Sequence, residues 1–371
     1  MENKDLYKVG LTMVNGVGDA IARNLLTFFH GDAELIFQES QRHLEKVSGV
    51  GPSVAAAIRD PEVLRMAEKE LEFVAKNKIR IYFLTDDDYP QRLRECADHP
   101  ILFYYKGIAD LNAKHVISVV GTRSFTSYGR ELTDRLVEDL AVRYPDLIIV
   151  SGLAYGIDIQ AHRAALKHDL PTVAVLAHGL DRIYPSAHRD TAVEMLKQGG
   201  LLTEFPHDTT PEKSNFVKRN RIVAGLTEAL IVVEAPQRSG SLITANLASS
   251  YGREVFSFPG RTTDSKSLGC NTLIRTNKAG MILSAEDLVS ALSWDTSFVV
   301  IPPSEAPTLP FSDDDAGHLL ALIHQHGEVY INELAHLASM PIYQLSSLLC
   351  DLETKNFIVG LPGGKYRIAK T

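Results

Sequence analysis

Short apolar runs alternate with longer amphipathic segments through the middle of this 371-residue chain. Runs rich in Val, Ile and Leu predict buried strands. They are His115–Val120, Leu147–Val150, Thr172–Leu176, Leu201–Glu204, Leu230–Glu234 and Glu254–Phe258. The segments between them are predicted to be helical crossovers, and this alternation is typical of a parallel α/β sheet with right-handed connections. We therefore predict an α/β protein whose central domain covers residues 81–295.

The N-terminal residues 1–80 have a helical pattern and a repeated Val-x-Gly-Val-Gly motif, at residues 14–18 and 47–51. Two Gly-x-Gly hairpins between helices are typical of a helix-hairpin-helix pair, in which backbone N–H groups face a phosphate. Asp19 and Glu45 flank the hairpins and would repel phosphate. A small helical bundle that uses its glycines only for tight turns is therefore favoured over a strong duplex binder.

The C-terminal part is separated by a proline-rich stretch, residues 296–313, which predicts a linker. Residues 314–371 predict three helices and a short hairpin, the pattern of a winged helix. Acidic residues outnumber Lys and Arg in this part, and its predicted recognition segment, Pro341–Glu353, contains neither Lys nor Arg. We interpret the winged helix as a protein-contact or weak auxiliary module.

The composition excludes several classes of protein. A formal charge of −8 argues against a general polyanion binder, so a nucleic-acid site must be a local groove in an acidic body. The cysteines Cys96, Cys270 and Cys350 are far apart and show no metal-ligand spacing, which indicates neither a disulfide framework nor a zinc site. The sequence shows no leader and no membrane-spanning run. We expect a soluble cytoplasmic protein without membrane contact.

Residues 211–226 bring four cations and one aromatic ring into this acidic chain. Thr210 is predicted as an N-cap and Pro211 as the first helical residue. At helical spacing Lys213, Phe216 and Asn220 then share one face. A cation, a ring and an amide on one surface suit a nucleic-acid strand. The alternative is a helix whose apolar residues enter the core while its cations stay in solvent, and the segment alone leaves both interpretations open.

Two strand-end loops carry glycines that suit phosphate binding. In an open parallel sheet, ligands bind outside the carboxyl ends of the strands. Gly121 follows the first predicted strand, and Gly240-Ser241 opens a helix after the fifth. The Gly240-Ser241 pair fits a phosphate cradle, although a tight turn would also explain the glycine. Neither GxGxxG nor GxxxxGK[ST] occurs, which makes NAD, FAD and ATP poor candidates, and we predict no cofactor.

Candidate catalytic groups do not assemble into a site. Ser151 lacks a GxSxG elbow. His162, His178 and His188 are candidates to lie near Asp158, Asp181 and Glu204 in the fold. Structural roles in capping loops and bonding the backbone explain these histidines and acids better. We therefore assign no catalytic residue and predict that the chain is not an enzyme.

The motifs in their order along the chain resemble the DNA-processing protein A family, also called Smf. The resemblance covers most of the chain and rests on the following segments: Gly121-Thr122-Arg123, Ser151-Gly152-Leu153-Ala154-Tyr155-Gly156-Ile157-Asp158, Lys213 to Phe216, Arg219 to Leu226, Ser239-Gly240-Ser241, Phe258-Pro259-Gly260 and Gly269-Cys270-Asn271. It implies an extended Rossmann-like domain, a helix-hairpin-helix or sterile-alpha-motif-like domain at the N-terminus and a C-terminal winged helix.

The resemblance also implies a function. Such a protein binds single-stranded DNA, protects it, and loads the RecA recombinase during natural transformation, as a homodimer without a nucleotide cofactor. Arg123 and Lys213 would contact phosphate, and Phe216 would stack on a base. The full set of expected DNA-binding residues is Gly121, Arg123, Lys213, Phe216, Arg219, Asn220, Arg221, Gly240, Ser241 and Asn271. Arg219 and Arg221 either support the groove or are ion-paired.

Two other functions compete with this one. The first is a nucleoside-monophosphate-cleaving enzyme of the lysine-decarboxylase-like fold, whose Pro-Gly-Gly-x-Gly-Thr-x-x-Glu loop has its nearest counterpart in residues 237–244. That stretch lacks the terminal acid that hydrolysis needs. The second is a duplex-binding regulator that acts through the winged helix, which the acidic character of that module disfavours.

Overall fold

The computed structural model describes residues 3–294, 315–355, 357–361 and 364–369. The chain forms two compact units, Met1–Leu292 and Ser293–Thr371. The first unit contains the N-terminal helices and the predicted sheet, and the second contains the predicted winged helix. The segment predicted to be a linker, residues 296–313, lies outside the described residues.

Six helices occupy residues 3–76. They are α1 (Asn3–Met13), α2 (Asp19–Phe28), α3 (Ala33–Gln38), α4 (Gln41–Leu44), α5 (Pro52–Ile58) and α6 (Pro61–Lys76). The repeated motif forms two hairpins, and α2 and α5 each begin directly after one of them. Gly16 and Gly49 have φ angles of +84° and +87°, which favour glycine. A Cβ on Gly16 would lie 3.3 Å from Val54, and one on Gly49 would lie 3.2 Å from Ile21. Each hairpin therefore packs against the helix that follows the other.

Within the described residues, nine strands form one sheet. They are β1 (Arg80–Phe83), β2 (Leu102–Gly107), β3 (Val116–Val120), β4 (Ile148–Ser151), β5 (Thr172–Val175), β6 (Gly200–Thr203), β7 (Ala229–Val232), β8 (Glu254–Ser257) and β9 (Gly280–Met281). Their order is β1-β2-β6-β5-β4-β3-β7-β8-β9. The predicted strands agree with β3 to β8 within two residues at each end. Strands β3 to β7 are buried throughout, which explains their continuous apolar runs.

The sheet is mostly parallel, as predicted, but one side of it is antiparallel. Strand β1 pairs with β2, and β2 pairs with β6, in antiparallel register. The sequence pattern did not predict these two strands, nor the short strand β9 at the opposite edge. All other neighbours in the sheet are parallel.

Eight further α-helices and one 3₁₀ helix, Ser186–His188, complete the first unit. The α-helices are α7 (Gln91–Arg94), α8 (Ser127–Arg143), α9 (Ile157–Lys167), α10 (Arg189–Met195), α11 (Lys213–Gly225), α12 (Gly240–Ser250), α13 (Leu268–Arg275) and α14 (Ala285–Ala291), all within residues 3–294. Strand β3 pairs with β4 on one side and with β7 on the other, so the direction of winding reverses between β3 and β7. In open α/β sheets ligands bind at such a switch point, outside the carboxyl ends of the strands.

The N-terminal helices and the antiparallel side of the sheet share one hydrophobic core. Leu25 of α2, Phe83 of β1 and Tyr104 of β2 are buried in it. A polar contact adds to this core: Arg221 Nη2 of α11 lies 3.1 Å from Asp19 Oδ2 at the start of α2. The helices are thus attached to the sheet by both apolar and charged contacts.

The second unit has the predicted winged-helix order in its described part. Its elements are α15 (Asp315–His326), β10 (Val329–Tyr330), α16 (Ile331–Leu337), α17 (Ile342–Thr354), β11 (Ile358–Leu361) and β12 (Lys365–Ile368). The three strands form an antiparallel sheet in the order β10-β12-β11. Leu319, Leu345 and Leu349 are among the buried residues of its core. The short strand β10 was not predicted.

Candidate nucleic-acid interface

A cavity of about 420 Å³ lies at the carboxyl ends of β3 and β7, at the switch point. Its walls come from the loops that follow β3, β4 and β7 and from the helices α11 and α12. It brings together most of the residues that the sequence singled out: Gly121, Arg123, Lys213, Phe216, Arg219, Asn220, Gly240 and Ser241. We call it the main cavity.

Helix α11 presents the predicted face but begins later than predicted. Lys213, Phe216 and Asn220 all line the main cavity, as their spacing requires. The prediction of Thr210 as the N-cap was wrong, because Glu212 is the N-cap and has an extended backbone. The Asn215 side chain donates to the Thr210 carbonyl at 3.2 Å, so Thr210 lies outside the helix. Lys213 is therefore the first helical residue, where unpaired backbone N–H groups favour an anion.

Three exposed cations surround the main cavity. They are Arg123 after β3, Lys213 at the start of α11 and Arg238 before α12. Among the described residues, none of the three forms an ion pair. Asp158 is the one acidic residue of the described lining, and it is buried. The main cavity is therefore positive although the whole chain is acidic.

Phe216 lies among cations and a second aromatic ring. The Arg123 Cζ atom is 5.7 Å from the centroid of the Phe216 ring, and the Arg219 Cζ atom is 5.9 Å from it. The Tyr184 ring approaches it edge-on, with a centroid separation of 6.0 Å and an interplanar angle of 62°. Phe216 is only partly buried, so its ring is held in place but accessible.

The buried side chain of Arg219 supports the wall of the main cavity. Its Nη1 atom donates to the carbonyls of Gly152, at 2.7 Å, and of Val175. Burial lowers the pKa of Arg219 to about 10, which leaves it a cation at neutral pH. Burial also raises the pKa of Asp158, and the Arg219 cation and the N–H groups of Ala154 and Gly152 oppose that rise. Arg219 thus fixes the wall behind Phe216.

The glycines of the site have different roles. A Cβ on Gly121 would lie 2.5 Å from Ile157 Cγ1, so Gly121 permits close packing of β3 against α9. A Cβ on Gly240, in contrast, would meet no atom within 4 Å. Ser239 caps α12 by accepting from the Ser241 N–H at 3.4 Å. The N-terminus of α12 therefore faces the main cavity, in the arrangement that favours phosphate.

Two predicted residues lie outside the main cavity. Arg221 is buried, pairs with Asp19 and Glu204, and donates from Nη1 to the Asp98 carbonyl at 2.7 Å. The structure therefore shows the ion-paired alternative for Arg221. The Asn271 side chain bonds both the N–H and the C=O of Gly260, at 3.1 and 2.9 Å, and so fixes the loop after β8.

The catalytic candidates are held by structural hydrogen bonds. Ser151 is buried and donates to the Val119 carbonyl at 2.7 Å. His162 Nδ1 lies 2.7 Å from the Thr172 hydroxyl, and His188 Nδ1 lies 2.8 Å from the Leu153 carbonyl. Burial lowers the pKa of His162 to about 3, so its ring is neutral at physiological pH.

The described ranges contain no group of three or more His, Cys, Asp or Glu side chains that could hold a metal ion. In the same part of the chain, no helix combines the length and the apolar character that a membrane crossing requires.

Two family models match the chain on either side of residues 294–301. Residues 80–293 match the family described as DNA recombination-mediator protein A, and residues 302–364 match the DprA winged helix domain. The chain belongs to the DNA recombination-mediator protein A family. This confirms the resemblance drawn from the sequence motifs.

Relatives from two bacteria resemble the chain over most of its length. Protein Smf of Escherichia coli (strain K12) is 36% identical over 287 residues, which cover 76% of this chain and 75% of the relative. The crystal structure of DNA processing protein A (DprA) from Streptococcus pneumoniae has a TM-score of 0.63 at 33% identity and covers 78% of this chain and 98% of that one.

A structure from Helicobacter pylori concerns the single-stranded DNA binding mode of its DNA processing protein A. It has a TM-score of 0.53 at 30% identity and covers 59% of this chain and 98% of that one.

Sequence reasoning missed Arg238, Tyr155 and Tyr184 as residues of the site. Arg238 lines the main cavity, and the two tyrosines line a second cavity beside it. Arg238 directly precedes the Ser-Gly-Ser that opens α12, and this position could have indicated a cation beside the predicted phosphate cradle. The tyrosines come from two separate loops, and the sequence does not show that both line one cavity.

Proposed function

We propose that this member of the DNA recombination-mediator protein A family binds single-stranded DNA at the main cavity. The phosphates bind to Arg123, Lys213 and the N-terminus of α12, and a base stacks on Phe216. The observation that carries this proposal is an accessible ring in a cavity at the switch point of the sheet, lined by exposed cations that form no ion pair among the described residues. The binding mode named for the Helicobacter pylori relative supports it.

The distribution of charge on α11 supports the same conclusion. Lys213 forms no ion pair within the described chain, whereas Lys218, one and a half turns later, lies 3.0 Å from Glu204. Arg221 is paired with the same carboxylate. One end of the helix thus offers a cation to an anionic ligand, and the other end is neutralised by contacts within the protein.

We infer that the role is binding without catalysis or a cofactor. A hydrolase for nucleoside monophosphates would need a carboxylate placed to transfer a proton. Asp158, the acid of the described cavity lining, instead accepts N–H groups of its own loop and faces Arg219. Ser151 and the buried histidines are likewise engaged by backbone and side-chain partners.

In the cell, we propose that the protein acts in the cytoplasm as a homodimer that protects single strands and loads the RecA recombinase during natural transformation and recombination. The family description, a recombination mediator, supports this role. We also propose the division into residues 1–80, 81–295, 296–313 and 314–371. In this division the winged helix contacts protein rather than DNA, so a chain without it keeps its single-strand affinity within about tenfold.

The experiment that tests the function is a titration of the full-length protein with single-stranded and duplex oligonucleotides of equal length. Binding at the main cavity predicts tight, salt-dependent binding of the single strand and much weaker binding of the duplex, whose bases are not free to stack. Equal affinity for the two forms would contradict the proposal.

A further inference from the structure

Beside the main cavity lies a smaller one, of about 240 Å³, which we call the side cavity. Two exposed aromatic residues stand at its walls, Tyr155 in the loop after β4 and Tyr184 in the loop after β5. Their exposed fractions are 51% and 49%. Half-exposed tyrosines are large apolar surfaces that remain open to a ligand.

The side cavity continues the main cavity. Both are lined by Arg123, Lys213 and Phe216. A strand whose phosphate lies between Arg123 and Lys213 therefore reaches both spaces from one position. The described lining of the side cavity contains two cations and no carboxylate, which favours an anionic ligand over an acidic or neutral peptide.

Both tyrosines are supported by buried histidines. The Tyr155 ring meets the ring of His188 edge-on, with a centroid separation of 4.8 Å, and His188 is bonded to the Leu153 carbonyl. The backbone N–H of Tyr184 donates to His178 Nε2 at 3.2 Å, and His178 Nδ1 lies 2.8 Å from the Gly179 carbonyl. These contacts hold the two loops in place before a ligand arrives, which reduces the entropy lost on binding.

We propose that Tyr155 and Tyr184 form a second base-stacking subsite, which holds the base next to the one on Phe216. This inference rests on the proposed function and extends it from one stacked base to two. The volume of the side cavity is below the roughly 300–1,000 Å³ of a pocket for a drug-sized ligand, which suits a single base. Stacking on aromatic rings tolerates any sequence, because every base has a π-face.

The test measures whether each ring acts through the DNA bases. The full-length protein, Tyr155→Ala, Tyr184→Ala and Phe216→Ala are titrated with a labelled 20-residue thymidine oligonucleotide and with an abasic oligonucleotide of equal length. Each tyrosine variant is expected to weaken binding of the thymidine strand by roughly 5- to 150-fold, the range for one lost stack. The loss on the abasic strand should be under about twofold.

Matched variants control for other causes. Tyr155→Phe and Tyr184→Phe keep the ring and should bind nearly as the unchanged protein does, whereas Tyr→Leu at either position keeps the apolar bulk and should lose affinity. Tyr128→Ala removes a tyrosine that is 44% exposed and outside both cavity linings, and it should have no effect. The leucine variants replace the alanine variants if the latter do not fold.

The outcomes separate this inference from the proposed function. If Phe216→Ala loses affinity but both tyrosine variants bind normally, the second subsite is wrong and the main site stands. Equal losses on thymidine and abasic strands would also overturn it, because the rings would then act without bases. Failure of the unchanged protein to bind single strands would overturn the proposed function and this subsite together.

Discussion

The guanidinium of Arg123 lies over the ring of Phe216, with Cζ 5.7 Å from the ring centroid. Arg123 comes from the loop after β3, and Phe216 comes from α11, so the contact joins two separate walls of the main cavity. A cation near a ring face attracts the ring's π electrons and also attracts phosphate. The pair thus places a cation that suits a phosphate beside a ring that suits a base.

The two residues should be coupled in DNA binding. Arg123→Ala is expected to reduce the salt slope by about one unit, uniformly across oligonucleotide sequences. Because Arg123 also orients the Phe216 ring, the double variant with Phe216→Ala should lose less than the sum of the single losses, by about 0.5–3 kcal/mol. A double-mutant cycle on single-strand affinity measures this difference. Strict additivity would mean that the contact has no role in binding.

Two lysines of α11 provide a matched pair of charge deletions. Lys213→Ala should lower the salt slope of single-strand binding by about one unit, because Lys213 faces the main cavity without an ion pair among the described residues. Lys218→Ala removes the same charge from the same helix, but Lys218 faces Glu204. The salt slope of single-strand binding by this variant should therefore stay unchanged. Affinity measured over a range of salt concentrations tests both. Equal effects of the two variants would indicate general attraction rather than a defined phosphate contact.

The buried ion pair of Arg221 and Glu204 predicts a large effect on stability. Their side chains are 8% and 3% exposed. Arg221→Ala leaves the Glu204 carboxylate without its closest cation and should lower the free energy of unfolding by about 3–5 kcal/mol. Lys218→Ala should cost no more than about 1 kcal/mol, since Lys218 is half exposed. Denaturant unfolding of both variants gives the two values, and similar losses would contradict the assignment.

His162 predicts a loss of stability in acid. The Thr172 hydroxyl donates to the Ile149 carbonyl, so it accepts from His162 Nδ1, and the buried ring is a neutral tautomer with Nε2 unpartnered. Its folded-state pKa is lowered to about 3, below the unfolded value near 6.5. Only the unfolded state takes up the proton between these values, so stability is lost as the pH falls from about 6.5 towards 3.

His162→Asn keeps a donor towards Thr172 and removes the titrating group. The thermal midpoint of this variant should therefore fall less steeply than that of the unchanged protein between pH 6.5 and 4. If the thermal midpoints of the two proteins fall equally steeply across that pH range, His162 does not contribute to the pH dependence of stability.

The sequence predicts the sheet well because β3 to β7 are buried on both faces and have no polar alternation to obscure them. It misses β1, β2 and β9. Strand β1 is short, begins with the exposed Arg80 and lies at one edge of the sheet, and β9 has only two residues and lies at the other edge. The helical face of Lys213 and Phe216 follows from spacing alone. The start of α11 does not, because the Asn215 contact with Thr210 is a feature of the folded segment.

The roles of the arginines could not be read from the sequence. Arg219 and Arg221 lie on the same basic helix as Lys213, yet both are buried. The partner Asp19 of Arg221 is 202 positions away in the chain, and no local pattern shows such a contact. The shared cavity of Tyr155 and Tyr184 is hidden for the same reason, since two separate loops bring these residues to it only in the folded sheet.

The most direct test of the account is the single-strand affinity of Phe216→Ala, measured beside the unchanged protein at two salt concentrations. We predict that the variant binds single strands more weakly by roughly 1–3 kcal/mol with an unchanged salt slope. The substitution removes a base-stacking contact but keeps every phosphate contact. Its weak duplex binding should not change. A folded Phe216→Ala variant that binds single strands as tightly as the unchanged protein would contradict the account.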